Sequence, residues 1–242
     1  MNEVNGGKHC YPGTNVLINK YGIHDAQILE KLEIQKTAVK LLGLDIFPQR
    51  IKPTFDVKHL TSIHLYLFGD LYSWAGEFRQ ENFFKSERVL SGASAEYADY
   101  TEIEQKIKRL LSQYKRFDWH KASDPTASVS EFLIALWSIH PFREGNTRTC
   151  ITFLWHYLNA KKVRFQVELF RNNPMYVRDS LVMANYGVAK YLNDIIHDAL
   201  SGDISPVNAS EPARDPDASN EQYQISKAEY ELFKEKYRLR KR

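Results

Sequence analysis

Nine consecutive residues hold most of the chemistry in this sequence: His140, Pro141, Phe142, Arg143, Glu144, Gly145, Asn146, Thr147 and Arg148. His140 accepts a proton near neutral pH without large tuning, which suits a general base. Glu144 is a hard oxygen ligand of the kind Mg²⁺ takes beside phosphates. Gly145 permits close backbone approach, and Asn146 adds a side-chain donor. Arg148 brings a planar cation matched to phosphate oxygens. The string opens an apolar stretch, Thr147–Tyr157, that reads as a helix. The first N–H groups of a helix and its positive dipole end attract an anion. Any one of these residues is ordinary in a turn. In this order they describe phosphate-ester chemistry.

A binding loop needs a rigid mount, and the flanking sequence supplies one. Upstream, Ser128-Val-Ser-Glu131 reads as a capping box opening an apolar helix through Ile139, with Phe132, Leu133, Leu136 and Trp137. Farther upstream, Ile28, Leu29, Leu32, Val39 and Leu42 repeat at helical spacing from Asp25 and stop at Gly43. Asp56 caps a second helix that ends at Phe68-Gly69. The stretch 78–90 (FRQENFFKSERVL) lacks helical periodicity and reads as a short β-hairpin. Residues 94–117 read as an amphipathic helix. Asn173-Pro174 reads as N-cap and first residue of another, and Val188–Leu200 as a last core helix. The fold class expected is therefore mainly α, a helical bundle with a small β-hairpin flap.

Composition bounds the function. The chain has 242 residues, 43% of them apolar, with 13 Phe, 14 Tyr and 4 Trp, enough to fill a sizeable core. A net charge of +3 gives no polyanion-binding field, so no nucleic-acid partner is expected from it. Two cysteines, Cys10 and Cys150, make neither a disulfide framework nor a metal site. No run of apolar residues is long enough for a membrane span. The polar, Gly-rich opening lacks the apolar core of a Sec signal. The organisation expected is an irregular arm over 1–22, a catalytic domain over 23–202, a Pro-rich linker over 203–219 and a C-terminal helix over 220–242. In that last helix Tyr223, Tyr230, Phe233 and Tyr237 form an aromatic stripe suited to docking on a core.

The 140–148 string resembles the signature of the Fic (AMP-transferase) family, His-Pro-Phe-x-(Asp/Glu)-Gly-Asn-Gly-Arg-x-x-Arg. Gly69-Asp70-Leu71-Tyr72-Ser73-Trp74-Ala75-Gly76 and Ala184-Asn185-Tyr186-Gly187 match further family segments. With Tyr11-Pro12-Gly13-Thr14-Asn15, the layout is most similar to Fic domains of Bartonella type IV-secreted effectors. The resemblance implies a protein adenylyltransferase using ATP and Mg²⁺, made in the bacterial cytoplasm and secreted into a host cell to modify a host target protein. It implies that His140 deprotonates the target hydroxyl and that Glu144 holds the metal. Gly145, Asn146 and Thr147 would cradle phosphates, with Arg148 on the β-phosphate. A flap over Asn82–Glu87 would bind target backbone, with Lys85 and Ser86 toward the nucleotide. Phe83 and Phe84 either clamp the target side chain or pack. Tyr176 and Asn185 would lie on the base side.

Two positions depart from the signature. Thr147 stands at its second glycine, where a need for positive φ would make a β-branched residue costly. Ile151 replaces its final arginine. The inhibitory pattern (Ser/Thr)-x-x-x-Glu-(Gly/Asn) is missing from the sequence, which leaves a small antitoxin-like inhibitor in trans as the implied control. Two alternatives stay open: a phosphotransferase binding the nucleotide in reverse, and a catalytically weak Fic-fold module that grips a host protein.

Overall fold

The computed structural model describes residues 7–201 and 223–240. Nine α-helices are found among them: α1 (Ala26–Ile46), α2 (Val57–Phe68), α3 (Ile103–Tyr114), α4 (Pro125–Ile139), α5 (Asn146–Ala160), α6 (Glu168–Asn172), α7 (Pro174–Asn185), α8 (Lys190–Ser201) and α9 (Lys227–Arg240). The chain divides into two compact units. One is Met1–Phe83, Ala98–Arg116 and Ile139–Tyr157; the other is Phe84–Tyr97, Phe117–Ser138 and Leu158–Arg242. The linker expected over 203–219 lies outside the described residues.

In the first unit α1 begins where the sequence placed it. The Asp25 carboxylate accepts the N–H groups of Gln27 and Ile28, the usual use of an N-cap aspartate. The helix runs through Gly43 to Ile46 rather than stopping there. A glycine inside a helix costs about 1 kcal/mol, too little to end one held by packing. The buried face also differs from the expected one. Leu29, Glu33, Thr37 and Leu44 are buried, whereas Ile28, Val39 and Leu42 are exposed. Helix α2, capped by Asp56 on His59 N–H, packs against α1 and puts Leu60, Ile63, Leu67 and Phe68 into the core. Helix α3 starts nine residues later than expected, behind a 3₁₀ turn at Tyr100–Glu102 capped by Asp99.

In the second unit α4 opens at Asp124-Pro125 instead of Ser128. Asp124 accepts from Ala127 N–H, and the Ser128 hydroxyl turns back to the Asp124 carbonyl. Proline favours the first helical position, so the opening lies one turn upstream of the expected capping box. Phe132, Leu133, Leu136 and Trp137 are fully buried as expected. Helices α7 and α8 pack together, and the aromatic stripe near α9 docks: Tyr223, Phe233 and Tyr237 are buried, the last two against the Tyr186 ring.

The expected hairpin does not form. No β-strand occurs among the described residues, and only one bridge, Ser86 to Ser94, marks the region. Residues Arg88–Leu90 wind into a 3₁₀ turn, followed by left-handed Ser91 and Gly92. Glu87 N–H reaches the Ala93 carbonyl and Gly92 N–H the Glu87 carbonyl. The reversal lies C-terminal to the expected flap. Its backbone bonds are spent inside the turn, so no ladder can propagate.

Candidate active site

Helix α4 ends at Ile139, and the next residue leaves the helical path. His140 takes φ +51, in the left-handed region, at a cost of order 1 kcal/mol. Its imidazole is fully buried, 0% exposed. The Arg79 side chain Nε–H donates to the His140 carbonyl at 2.8 Å, and Arg79 backbone N–H donates to the Pro141 carbonyl at 2.9 Å. Arg79 is itself buried and also donates to Glu81 O, Asn82 Oδ1 and Ala98 O. One buried arginine thus fixes the carbonyls of His140 and Pro141, the first through its guanidinium and the second through its main chain. The Phe83 ring lies 5.9 Å from the His140 ring, between the guanidinium groups of Arg79 (5.5 Å) and Arg143 (4.8 Å).

The loop then closes on itself. Asn146 Oδ1 accepts from Phe142 N–H at 2.8 Å, and Asn146 Nδ2 donates to Phe142 O at 2.7 Å. The buried amide therefore shapes the loop, which revises its expected use as a donor aimed at an anion. Gly145 has φ +75, and a Cβ there would come within 2.2–2.9 Å of Phe68 ring atoms. Only glycine fits this approach. The Glu144 carboxylate accepts Gly145 N–H at 2.9 Å. Behind it, His64 from α2 stacks on Phe142 with centroids 3.9 Å apart.

The tautomer of His64 follows from its partners. Gly76 N–H donates to Nδ1 at 2.8 Å, so Nε2 carries the proton and donates to the Glu144 carbonyl at 3.1 Å. Burial pushes the His64 pKa down to about 4, against the raising effect of the bond to the Glu144 carbonyl. His64 is therefore neutral at pH 7 and holds the loop as a fixed donor.

Helix α5 starts at Asn146, immediately after the glycine. Its first turn carries Thr147 and Arg148. Thr147 is not among the residues with positive φ, so the glycine-like freedom feared for that position is not required. Ile151, one turn on, is buried at 7% exposure. The Arg148 guanidinium stacks on Phe68 at 4.9 Å, pairs with Glu33 and donates to Thr37 Oγ1 at 3.1 Å. Its side chain keeps 30% exposure. No cluster of three or more metal-ligating side chains exists among the described residues. Glu144 as one carboxylate fits a Mg²⁺ that takes its other ligands from phosphates and water.

The structure thus brings His140, Glu144, Gly145, Asn146, Thr147 and Arg148 together in the first unit with Asn82 and Phe83. Asn82 Nδ2 donates to Asp99, and its Oδ1 accepts from Tyr100 N–H as well as Arg79. Phe84, Lys85, Ser86, Tyr176 and Asn185 belong to the second unit. There Phe84 is 70% exposed, and Lys85 N–H donates to Ser94 Oγ at 3.2 Å. Tyr176 is buried, with its hydroxyl donating to Tyr191 O at 2.9 Å and its pKa raised, chiefly by burial. Asn185 is half-buried at the last residue of α7. Sequence reasoning missed Arg79, His64, Glu33, Thr37 and Phe68. A signal for two of them was present: a histidine inside apolar α2, and an arginine directly after Phe78.

The model of the Fic/DOC family matches residues 54–158. A probable protein adenylyltransferase, y4lH of Sinorhizobium fredii, is 32% identical over 206 residues, 83% of this chain and 91% of that protein. The protein adenylyltransferase VbhT of Bartonella schoenbuchensis is 27% identical over 81% of this chain; the chain spans 40% of that relative's length. In fold, the chain is similar to the crystal structure of the VirB-translocated effector BepC of Bartonella tribocorum with bound AMPPNP. The TM-score is 0.66 with 21% identity, covering 82% of this chain and 98% of that one.

Proposed function

The chain belongs to the Fic/DOC family, and on that premise we propose that it is a protein adenylyltransferase, moving AMP from ATP to a hydroxyl side chain of a host protein. The observation that carries this reading is the loop from His140 to the anion-attracting start of α5 at Asn146, with Glu144 in it and Arg148 on the first turn of the helix. His140 would take the proton of a Ser, Thr or Tyr hydroxyl. The oxygen attacks the α-phosphorus, a new P–O bond forms, and the bond to pyrophosphate breaks in line. The N–H groups of the first turn of α5 and the Arg148 guanidinium would take up phosphate charge. Mg²⁺, when bound at Glu144, supplies charge neutralisation on the phosphates.

A further similar protein supports the wider setting. One similar structure is a type IV secretion system effector, BepA, at TM-score 0.65 and 22% identity. Delivery into a host cell and control by a small inhibitor in trans are parts of the same proposal. Among the described residues no helix is long and apolar enough to cross a membrane. ATP labelled at the α- or the γ-phosphate, incubated with the protein and host-cell lysate, tests the reading. Transfer of α-label that stops in excess EDTA is expected. Transfer of γ-label instead would establish the reversed phosphotransferase, and no transfer of either would leave a binding module.

A further inference from the structure

Helix α1 lies wholly upstream of residues 54–158, the segment shared with the family. Its buried face is nevertheless polar at two positions one turn apart, Glu33 and Thr37. A buried carboxylate costs several kcal/mol unless it is paired and hydrogen-bonded, and here both oxygens are used. Glu33 Oε2 accepts the Tyr72 hydroxyl at 2.5 Å, and Oε1 pairs with the Arg148 guanidinium. The Thr37 hydroxyl donates to the Glu33 carbonyl at 2.8 Å and accepts from the same guanidinium at 3.1 Å. The pKa of Tyr72 is raised strongly, chiefly by burial and then by the Glu33 charge, so the phenol remains a donor. The Phe68 ring, fully buried, lies against the guanidinium plane.

Arg148 is therefore fixed from α1 and α2, and Glu33 is held in turn by Tyr72 from the turn after α2. An arginine on an exposed helix start loses side-chain freedom when a ligand immobilises it. Here that ordering is done before any ligand arrives. Guanidinium has five N–H donors, and the bonds from Nη2 to Glu33 and from Nη1 to Thr37 do not exhaust them. Ile151 leaves no second cation one turn on, which places more of the phosphate charge on this one side chain.

We propose that Glu33 is a positioning residue, which with Thr37 and Tyr72 presets Arg148 for the β-phosphate of the nucleotide. This rests on the reading of Arg148 as a phosphate ligand given above. Its signature is a split between two nucleotides: a positioner of the β-phosphate cation affects ADP and leaves AMP alone.

Calorimetric titration with ADP and AMP in Mg²⁺ buffer tests it, with thermal melting of each variant. Arg148→Ala should weaken ADP and spare AMP. Glu33→Leu should weaken ADP by up to about tenfold, again sparing AMP, and should add nothing on top of Arg148→Ala. Glu33→Gln, which keeps an acceptor oxygen toward Arg148, should recover most of the loss. If Glu33→Leu fails to fold, Tyr72→Phe removes only the hydroxyl that steadies the carboxylate and should show the same split. ADP binding unchanged or tightened by the Glu33 or Tyr72 variant, while Arg148→Ala weakens it, would overturn the positioning role alone. Equal losses for ADP and AMP would reduce Glu33 to a structural part. Undiminished ADP binding in Arg148→Ala would remove the phosphate reading of Arg148, and the positioning role with it.

Discussion

The loop 140–148 and, in the segment 84–94, Lys85 and Ser86 were expected to meet a nucleotide, yet the two regions are held by different means. In the first unit the loop is fixed through its backbone. Arg79 grips the His140 carbonyl, His64 the Glu144 carbonyl, Asn146 both polar groups of Phe142, and Phe68 closes on Gly145. In the second unit the segment is anchored through side chains at its base. Buried Glu87 pairs with Arg178, and Arg88 pairs with Asp179, whose carboxylate also accepts the Tyr230 hydroxyl at 2.6 Å. The difference follows from where each main chain spends its hydrogen bonds. In the loop the carbonyls of His140, Phe142 and Glu144 are taken by side chains from Arg79, Asn146 and His64, so the main chain itself is positioned. The 84–94 turn spends its main-chain bonds internally, from Glu87 N–H to Ala93 O and from Gly92 N–H to Glu87 O, which leaves its side chains to tie it down.

The strongest break of this contrast is chemical. His140→Ala should lower α-label transfer by about 10²–10⁴ in a variant that still folds, with a melting temperature lowered by the loss of a buried side chain. A folded variant that still transfers at the parent rate would take His140 out of the reaction.

A pair of glycine substitutions compares the regions in stability. Gly145→Ala meets the Phe68 ring at 2.2 Å with φ +75, so overpacking adds to backbone strain for about 2–4 kcal/mol. Gly92→Ala has φ +88 but only Ser86 Oγ at 3.6 Å, leaving strain alone, about 1–2 kcal/mol. Denaturant unfolding of both should rank them in that order. Equal losses would show that the loop yields as readily as the flap.

The smallest effect is on pH dependence. His64 has its folded pKa lowered from 6.5 to about 4 by burial. The unfolded chain therefore binds the proton more tightly between those values. The contribution to stability is complete above pH 6.5 and is lost as pH falls through 4, about 2 kcal/mol of it between pH 7 and pH 5. His59, lowered to about 3 chiefly by burial, acts in the same direction. His64→Gln should flatten, without abolishing, the fall in melting temperature from pH 7 to pH 5. An unchanged slope would mean that the loop is not held by a neutral histidine.

The sequence by itself determined the chemistry of the loop and the helical character of the chain. The order His140, Glu144, Gly145, Asn146, Arg148 lies within nine residues, and helical spacing and caps such as Asp25 and Asp56 are equally local. Tertiary structure decided which face of α1 is buried, because Glu33 finds its partner Arg148 at a separation of 115 residues. It decided how the turn that replaces the expected hairpin is held, with Glu87 paired to Arg178, 91 residues away. It also decided that Arg148 pairs with a buried carboxylate. Periodicity reports which residues can share a face; the partner that makes burial of a charge favourable is set only when distant segments meet.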